Sequence, residues 1–77
     1  MSKLIRSLYN LKNDEVGIIK GFSSDLFNKV RIMEMGILKD VTVRMVRKTP
    51  LKGPIELKVR SYYITLRCDD ALKIYIK

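Results

Sequence analysis

Val41-Thr42-Val43-Arg44-Met45-Val46-Arg47-Lys48-Thr49-Pro50-Leu51-Lys52-Gly53-Pro54-Ile55-Glu56-Leu57-Lys58-Val59-Arg60-Ser61-Tyr62-Tyr63-Ile64-Thr65-Leu66 changes hydrophobic character every second residue in three successive blocks. Val41, Val43 and Met45 alternate with Thr42 and Arg44. Ile55, Leu57 and Val59 alternate with Glu56, Lys58 and Arg60, and Tyr62, Ile64 and Leu66 oppose Tyr63, Thr65 and Arg67. A period of two puts one set of side chains on each face of a pleated strand, so each block is a half-buried strand. Between the first two blocks, Thr49 to Pro54 contains two prolines, which cannot donate to a ladder, and a glycine. The first two blocks therefore form a hairpin across a six-residue connection, residues 49–54.

Downstream, Cys68-Asp69-Asp70-Ala71-Leu72-Lys73 allows about one helical turn, and Ile74-Tyr75-Ile76 closes the chain as a strand. Upstream, Val16 to Phe22 is short, β-branched and interrupted by glycine, which predicts a strand with a bend or bulge at Gly17 or Gly21. Ser23-Ser24-Asp25 offers N-cap chemistry, and Leu26, Phe27, Val30 and Met33 follow at helical spacing. A helix is expected over about residues 25–35, with Lys29, Arg31 and Glu34 outside and Gly36 ending it in a left-handed conformation. Leucines at 4, 8 and 11 suggest a helical turn or a loop pinned by three anchors, and Asn13-Asp14 reads as a turn. Five short strands and one helix must curl to bury one face of each strand. The expected fold is mainly β, a small SH3-like barrel of about five strands forming a single domain over residues 1–77.

The chain has 77 residues, of which 47% are hydrophobic and 31% charged, a globular mixture. Sixteen Lys and Arg face eight Asp and Glu, a net charge of +8 that favours anionic partners. No apolar run approaches the ~20 residues that cross a bilayer, and no secretory signal is read at the N-terminus. Cys68 is the only cysteine, which excludes an intramolecular disulfide and suits a reducing cytosol. With no histidine, a His-based triad and a His-containing zinc finger are excluded within one chain.

Arg31-Ile32-Met33-Glu34-Met35-Gly36-Ile37 resembles the conserved helix end of the FeoA family of ferrous iron transport accessory proteins. The resemblance continues through Val41, Val43, Pro50 and Gly53-Pro54-Ile55, and closes on Ile64-Thr65-Leu66-Arg67, Ala71 and Ile74. It spans about residues 4–77. Two positions depart from the family pattern, Asp40 and Ser61, where glycine is usual. Aspartate tolerates positive φ better than most residues, so Asp40 is expected to hold a similar turn. The resemblance implies a cytoplasmic, non-enzymatic accessory protein that docks on the cytosolic GTPase part of the membrane transporter FeoB. Partner docking falls to Arg31, Met35, Arg47, Lys48, Pro50 and Lys52, and structural roles to Gly36, Gly53 and Pro54.

Other functions are tested by the ligand inventory. Ferrous iron prefers His, carboxylate and Cys ligands. Cys68-Asp69-Asp70 is the only tight donor cluster, and it reads as a turn beside a buried thiol. Met33 and Met35 sit two apart on a helix and point to different faces, which suits packing. No metal site, cofactor or catalytic residue is assigned. Residues 39–60 hold seven basic residues and two acids, a local net of +5, which suits either a solvated hairpin or a docking surface. The alternatives are a small basic nucleic-acid-binding barrel and a transition-metal sensor or carrier. Nucleic acid is not expected as a partner, because Tyr62 and Tyr63 face opposite ways on a strand and cannot both stack on one surface. Any membrane association is expected to be peripheral.

Overall fold

The alternating blocks of residues 41–66 form three consecutive antiparallel strands in the computed structural model, which describes residues 6–77. These are β3 (Thr42–Lys48), β4 (Ile55–Val59) and β5 (Tyr62–Leu66). The β3–β4 connection is residues 49–54, as the two prolines and glycine imply. Val43, Met45, Ile55, Leu57 and Val59 all point inward and are buried. Three further strands complete the sheet: β1 (Arg6–Ser7), β2 (Val16–Phe22) and β6 (Ile74–Ile76). The ladder order is β1-β6-β2-β3-β4-β5, with every pairing antiparallel.

β2 pairs through Val16–Ile18 with β3 and through Ile19–Phe22 with β6, and its register shifts between Ile19 and Gly21. The shift leaves Lys20 without an opposite residue on β6, so the bulge expected at one of the two glycines lies immediately before Gly21 and bends the strand between its two partners. A second shift, between Met45 and Arg47, leaves Val46 without an opposite residue on β4. β1 and β5 end the ladder, and no strand pair joins them among the described residues, so the barrel is half-open.

Among the described residues the strand count is six, not about five. The additional strand is β1, only two residues long, which precedes a 3-10 turn at Leu8–Asn10. Leu8 and Leu11 are fully buried around that turn, so both act as anchors, while Leu4 lies outside the described residues. Arg6 ties the segment to the loop before β2 through an ion pair with Glu15 at 3.2 Å.

The helix departs most from expectation. It is α1 (Lys29–Glu34), six residues with Asn28 at its N-cap, rather than a helix from about 25. The Ser23 hydroxyl is engaged with the Asp25 carboxylate, and Leu26 N–H donates to the Ser23 carbonyl at 3.1 Å. Those local bonds offer the backbone a turn in place of helix. Only Leu26 of the four apolar residues at helical spacing is buried: Phe27 is 93% exposed and Val30 71%. Ile32 and the half-buried Met35 carry the inward face instead. Val30 lies two residues, about 200°, around the helix from Ile32, so a single helix cannot bury both.

Where the helix ends, expectation holds. Gly36 has φ +101, its N–H donates to Met33, and Ile37 N–H donates back to Ile32 at 3.3 Å. This is a Schellman closure, with Ile32 and Ile37 both buried. A second turn of helix, α2 (Cys68–Ala71), links β5 to β6 and buries Cys68 and Ala71.

Candidate functional site

Of the six docking residues assigned from sequence, Arg31, Met35 and Lys52 line two clefts. Arg31 and Met35 line a cleft of about 150 Å³ between α1 and the end of β5, together with Asn28, Thr65, Arg67 and Asp70. Lys52 lines a neighbouring, more open cleft with Pro54, Cys68 and Asp69, and Arg67 belongs to its wall as well. The two clefts therefore adjoin at Arg67. Its position follows from β5 ending at Leu66 and α2 starting at Cys68, which leaves Arg67 as the extended residue between them (φ −72, ψ 149).

A tether joins the two elements that flank the first cleft. Tyr62 is the first residue of β5, and its hydroxyl donates to the Met35 carbonyl at 2.8 Å, a carbonyl that α1 leaves free at its C-terminus. A Cβ at position 36 would sit 1.9 Å from the Tyr62 hydroxyl oxygen. Gly36 is thus required twice, for its backbone conformation and for the passage of Tyr62. Beyond Tyr62, β5 pairs only with β4 among the described residues, so its other edge faces α1 and the cleft.

The connecting loop supplies the other half. Leu51 and Lys52 both have positive φ (62 and 58), and Gly53 N–H donates to the Pro50 carbonyl at 3.3 Å. This is a tight turn with two left-handed central residues, a conformation that favours Asn and Gly over Leu. Leu51 is 98% exposed at its tip. Gly53 is not itself left-handed; its structural role is close approach, since a Cβ there would lie 2.7 Å from the Thr49 methyl. Pro54 accepts the Thr49 N–H at 3.1 Å, closing the loop.

Arg47 is exposed on β3 opposite Glu56. Lys48 is half-buried, and its ammonium donates to the Tyr9 carbonyl at 3.0 Å and lies 4.9 Å from the Tyr9 ring centre. It pins β3 to the 3-10 turn, a structural task that its sequence position does not announce. The Tyr9 phenol is pushed up from its ordinary value, first by burial and then by Cys68 beside it. Elsewhere, the Glu15 carboxyl is held down chiefly by the Lys12 backbone N–H and then by Arg6. That of Asp25 is held down by the Ser23 hydroxyl and then by Lys73. Cys68 is buried at the start of α2, as a turn beside a buried thiol requires.

Sequence reading missed Arg67, Thr65, Asp70 and the exposed tip Leu51 as site residues. Arg67 stood in plain view within the closing Ile64-Thr65-Leu66-Arg67 motif. Asp40 does take positive φ (74), as its resemblance position implies, but beside Ser61 the left-handed residue is Arg60 (φ 58).

The model of the FeoA domain matches residues 6–77 of this sequence. The chain belongs to the FeoA family. A relative from Porphyromonas gingivalis, described as an Fe(2+) transport protein A/Fe(2+) transporter FeoB fusion protein, is 33% identical over 64 residues. The match covers 83% of this chain and only 8% of that much longer protein. Among solved structures, a FeoA-like protein from Clostridium acetobutylicum aligns with a TM-score of 0.84 at 26% identity, covering 100% of this chain and 88% of the other. A zinc-complexed FeoA of Stenotrophomonas maltophilia, described as a procaryotic SH3 domain protein, aligns at 0.79 with 22% identity, covering 94% and 89%. The latter likeness concerns the fold, which is the SH3-like class. The family links the chain to ferrous iron transport.

Proposed function

We propose that this chain is a cytosolic accessory protein of a ferrous iron uptake system, docking through the paired clefts around Arg67 on the cytosolic GTPase region of the transporter FeoB. The observation that carries this reading is the fused relative, in which a segment similar to this chain shares one polypeptide with the transporter. Fusion raises the effective concentration of two modules without any new contact, which is useful only if they meet. The clefts suit an extended segment of a partner. SH3-type folds take such segments in shallow surface grooves. Here Arg31, Arg67 and Lys52 line the clefts together with Asp69 and Asp70, which suits a segment of mixed charge. Met35 in the first cleft and the exposed Leu51, next to Lys52 in the loop, offer apolar contacts. The role is binding, not catalysis: the one thiol, Cys68, is buried with no histidine in the chain to activate it.

Calorimetric titration with the isolated cytosolic region of FeoB tests this. Binding should weaken at least ~10-fold in Arg31→Glu/Arg67→Glu, because like charges then face the partner's complementary ones. Arg47→Glu, away from the clefts, should act mainly by slowing association. No binding, or an affinity indifferent to the cleft variants, contradicts the reading. The zinc-bound relative motivates a second reading, a metal carrier. Among the described residues no three Cys, Asp or Glu side chains are grouped as a ligand set. Fe(II) titration should therefore reveal no site tighter than about micromolar.

A further inference from the structure

The outer face of the sheet carries a cationic centre that the docking clefts do not use. Val16, Arg44, Lys58 and Tyr63 stand directly opposite one another in register across β2, β3, β4 and β5, and Ile18 lies opposite Thr42 in the next row. A shallow depression of about 360 Å³ is lined by Thr42, Val43, Arg44, Lys58 and Arg60: three cations, one hydroxyl and no carboxylate. Glu56 shares the face, but its cross-strand neighbour is Arg47.

Among the described residues no carboxylate forms an ion pair with these cations, and only Lys58 meets a ring, that of Tyr63. Like charges directly opposite across a ladder destabilise it, and Arg44 faces Lys58. The ion pairs among the described residues, Arg6–Glu15 and Lys73–Asp25, lie elsewhere. The Arg44 Nε is buried with no acceptor, a donor stripped of water and left unmet. Arg60 occupies a left-handed position in the two-residue β4–β5 turn, where Gly or Asn would be less strained. The cations are flanked on one side by Val16 (54% exposed) and Ile18, and on the other by Tyr63 (56% exposed).

We propose that this face seats on the phosphate headgroups of an anionic lipid surface, with Arg44, Lys58 and Arg60 meeting the phosphates and Val16, Ile18 and Tyr63 entering the interfacial layer. Cations at the centre with aliphatic and tyrosyl side chains beside them match the interface, where charge attracts and amphipathic rings anchor. A nucleic-acid strand fits less well. It asks for a run of stacking aromatics, whereas Tyr63 is already faced by the Lys58 ammonium at 5.6 Å and Tyr62 is bonded to Met35. An added peptide strand would need a ladder edge, and this surface is a sheet face. Tyr62 and Tyr63 point to opposite sides of β5, and none of Thr42, Val43, Arg44, Lys58 and Arg60 lines the α1 cleft. The inference does not rest on the partner proposed above, because its test contains no protein other than this chain.

The test is co-sedimentation of the full chain with phosphatidylcholine vesicles containing phosphatidylglycerol, against pure phosphatidylcholine. Binding is expected only with the anionic lipid and should fall as salt is raised. Each cation near the surface is worth about five-fold in partition, so Arg44→Gln/Lys58→Gln should lower it about 25-fold. Lys12→Gln/Lys29→Gln, with the same net charge but off this face, should lower it less than about three-fold. Thermal midpoints verify that each variant is folded. Independently of any variant, amide shifts of the wild-type chain with short-chain phosphatidylglycerol should concentrate at Thr42, Arg44, Lys58 and Arg60. Equal binding to neutral vesicles, no binding, equal losses in the two pairs, or shifts centred elsewhere would overturn the proposal. So would saturable binding of inorganic phosphate or an oligonucleotide without vesicle binding.

Discussion

The β3–β4–β5 meander and the segment from Ser23 to Leu38 are both short and both patterned, yet the pattern maps to burial only in the first. In β3 and β4 the alternation goes inward, with Val43, Met45, Ile55, Leu57 and Val59 buried; at the end of the ladder β5 buries Leu66, half-buries Ile64 and leaves Tyr62 41% exposed. In the helical segment Phe27 and Val30 sit at helical spacing and face solvent, while Ile32 and Met35 turn inward. A strand in a ladder has its facing fixed by the registers on both sides, and a one-residue slip would expose its whole apolar set. A six-residue helix has no such ladder, and isolated helices of that length are unstable in water. Its orientation comes from its C-terminal closure and from the Tyr62 hydroxyl on the Met35 carbonyl, a contact 27 residues apart in sequence.

That difference predicts unequal responses to substitution. The largest should come from the meander: Leu57→Ala leaves a cavity in a fully buried site and should cost roughly 2–5 kcal/mol in denaturant unfolding. Val30→Ala, in the helix but 71% exposed, should stay within about 0.5 kcal/mol. A large loss at Val30 would break the comparison, since it would mean that the apolar helical spacing does mark a buried face.

Next in size is the helix end. Gly36→Val imposes a β-branched residue at φ +101 and drives a Cβ into Tyr62, so it should cost about 2 kcal/mol or more. Tyr62→Phe keeps the glycine and removes one partly exposed hydrogen bond, about 1 kcal/mol at most. Thermal unfolding of the two variants separates the backbone requirement from the tether. Equal losses would assign the whole effect to Tyr62.

The loop tip should respond in the opposite direction. Leu51→Asn/Lys52→Gly places the preferred residues at two left-handed positions and removes an exposed apolar side chain, so stability should rise by about 1 kcal/mol. Affinity for the FeoB cytosolic region should fall in the same protein. A gain in stability with unchanged binding would separate the strained turn from docking.

The smallest effect is electrostatic. Glu15 and Asp25 have carboxyls held below their ordinary values, so each favours the folded state at neutral pH and loses that contribution as pH falls through its folded value. The thermal midpoint should therefore decline slightly below about pH 4. Both carboxylates lie outside the meander, and Glu15→Gln should flatten part of the decline; an unchanged slope would exclude Glu15 as a source.

Strands β2 to β6, the six-residue connection, the left-handed Gly36 and the terminal helical turn were legible in the sequence, because local alternation and turn chemistry determine them. The helix start was not, because the Ser23 and Asp25 side chains bond each other in a turn and the helix begins only after Asn28. β1 is two residues long and has no period to read. The candidate site was half legible. Arg31, Met35 and Lys52 were named, but their meeting point at Arg67 depends on α1, the 49–54 loop and α2 converging in space. Lys48 shows the converse, a basic residue in a basic run whose charge is occupied by the Tyr9 carbonyl.

The most direct test of docking through the paired clefts is chemical-shift mapping on the isotope-labelled chain, titrated with the unlabelled cytosolic region of FeoB. The account predicts that shifts cluster at Arg31, Met35, Thr65, Arg67 and the Leu51–Lys52 tip, with Arg44, Lys58 and Arg60 unmoved. Shifts confined to the outer sheet face, or none at saturating partner, would contradict it.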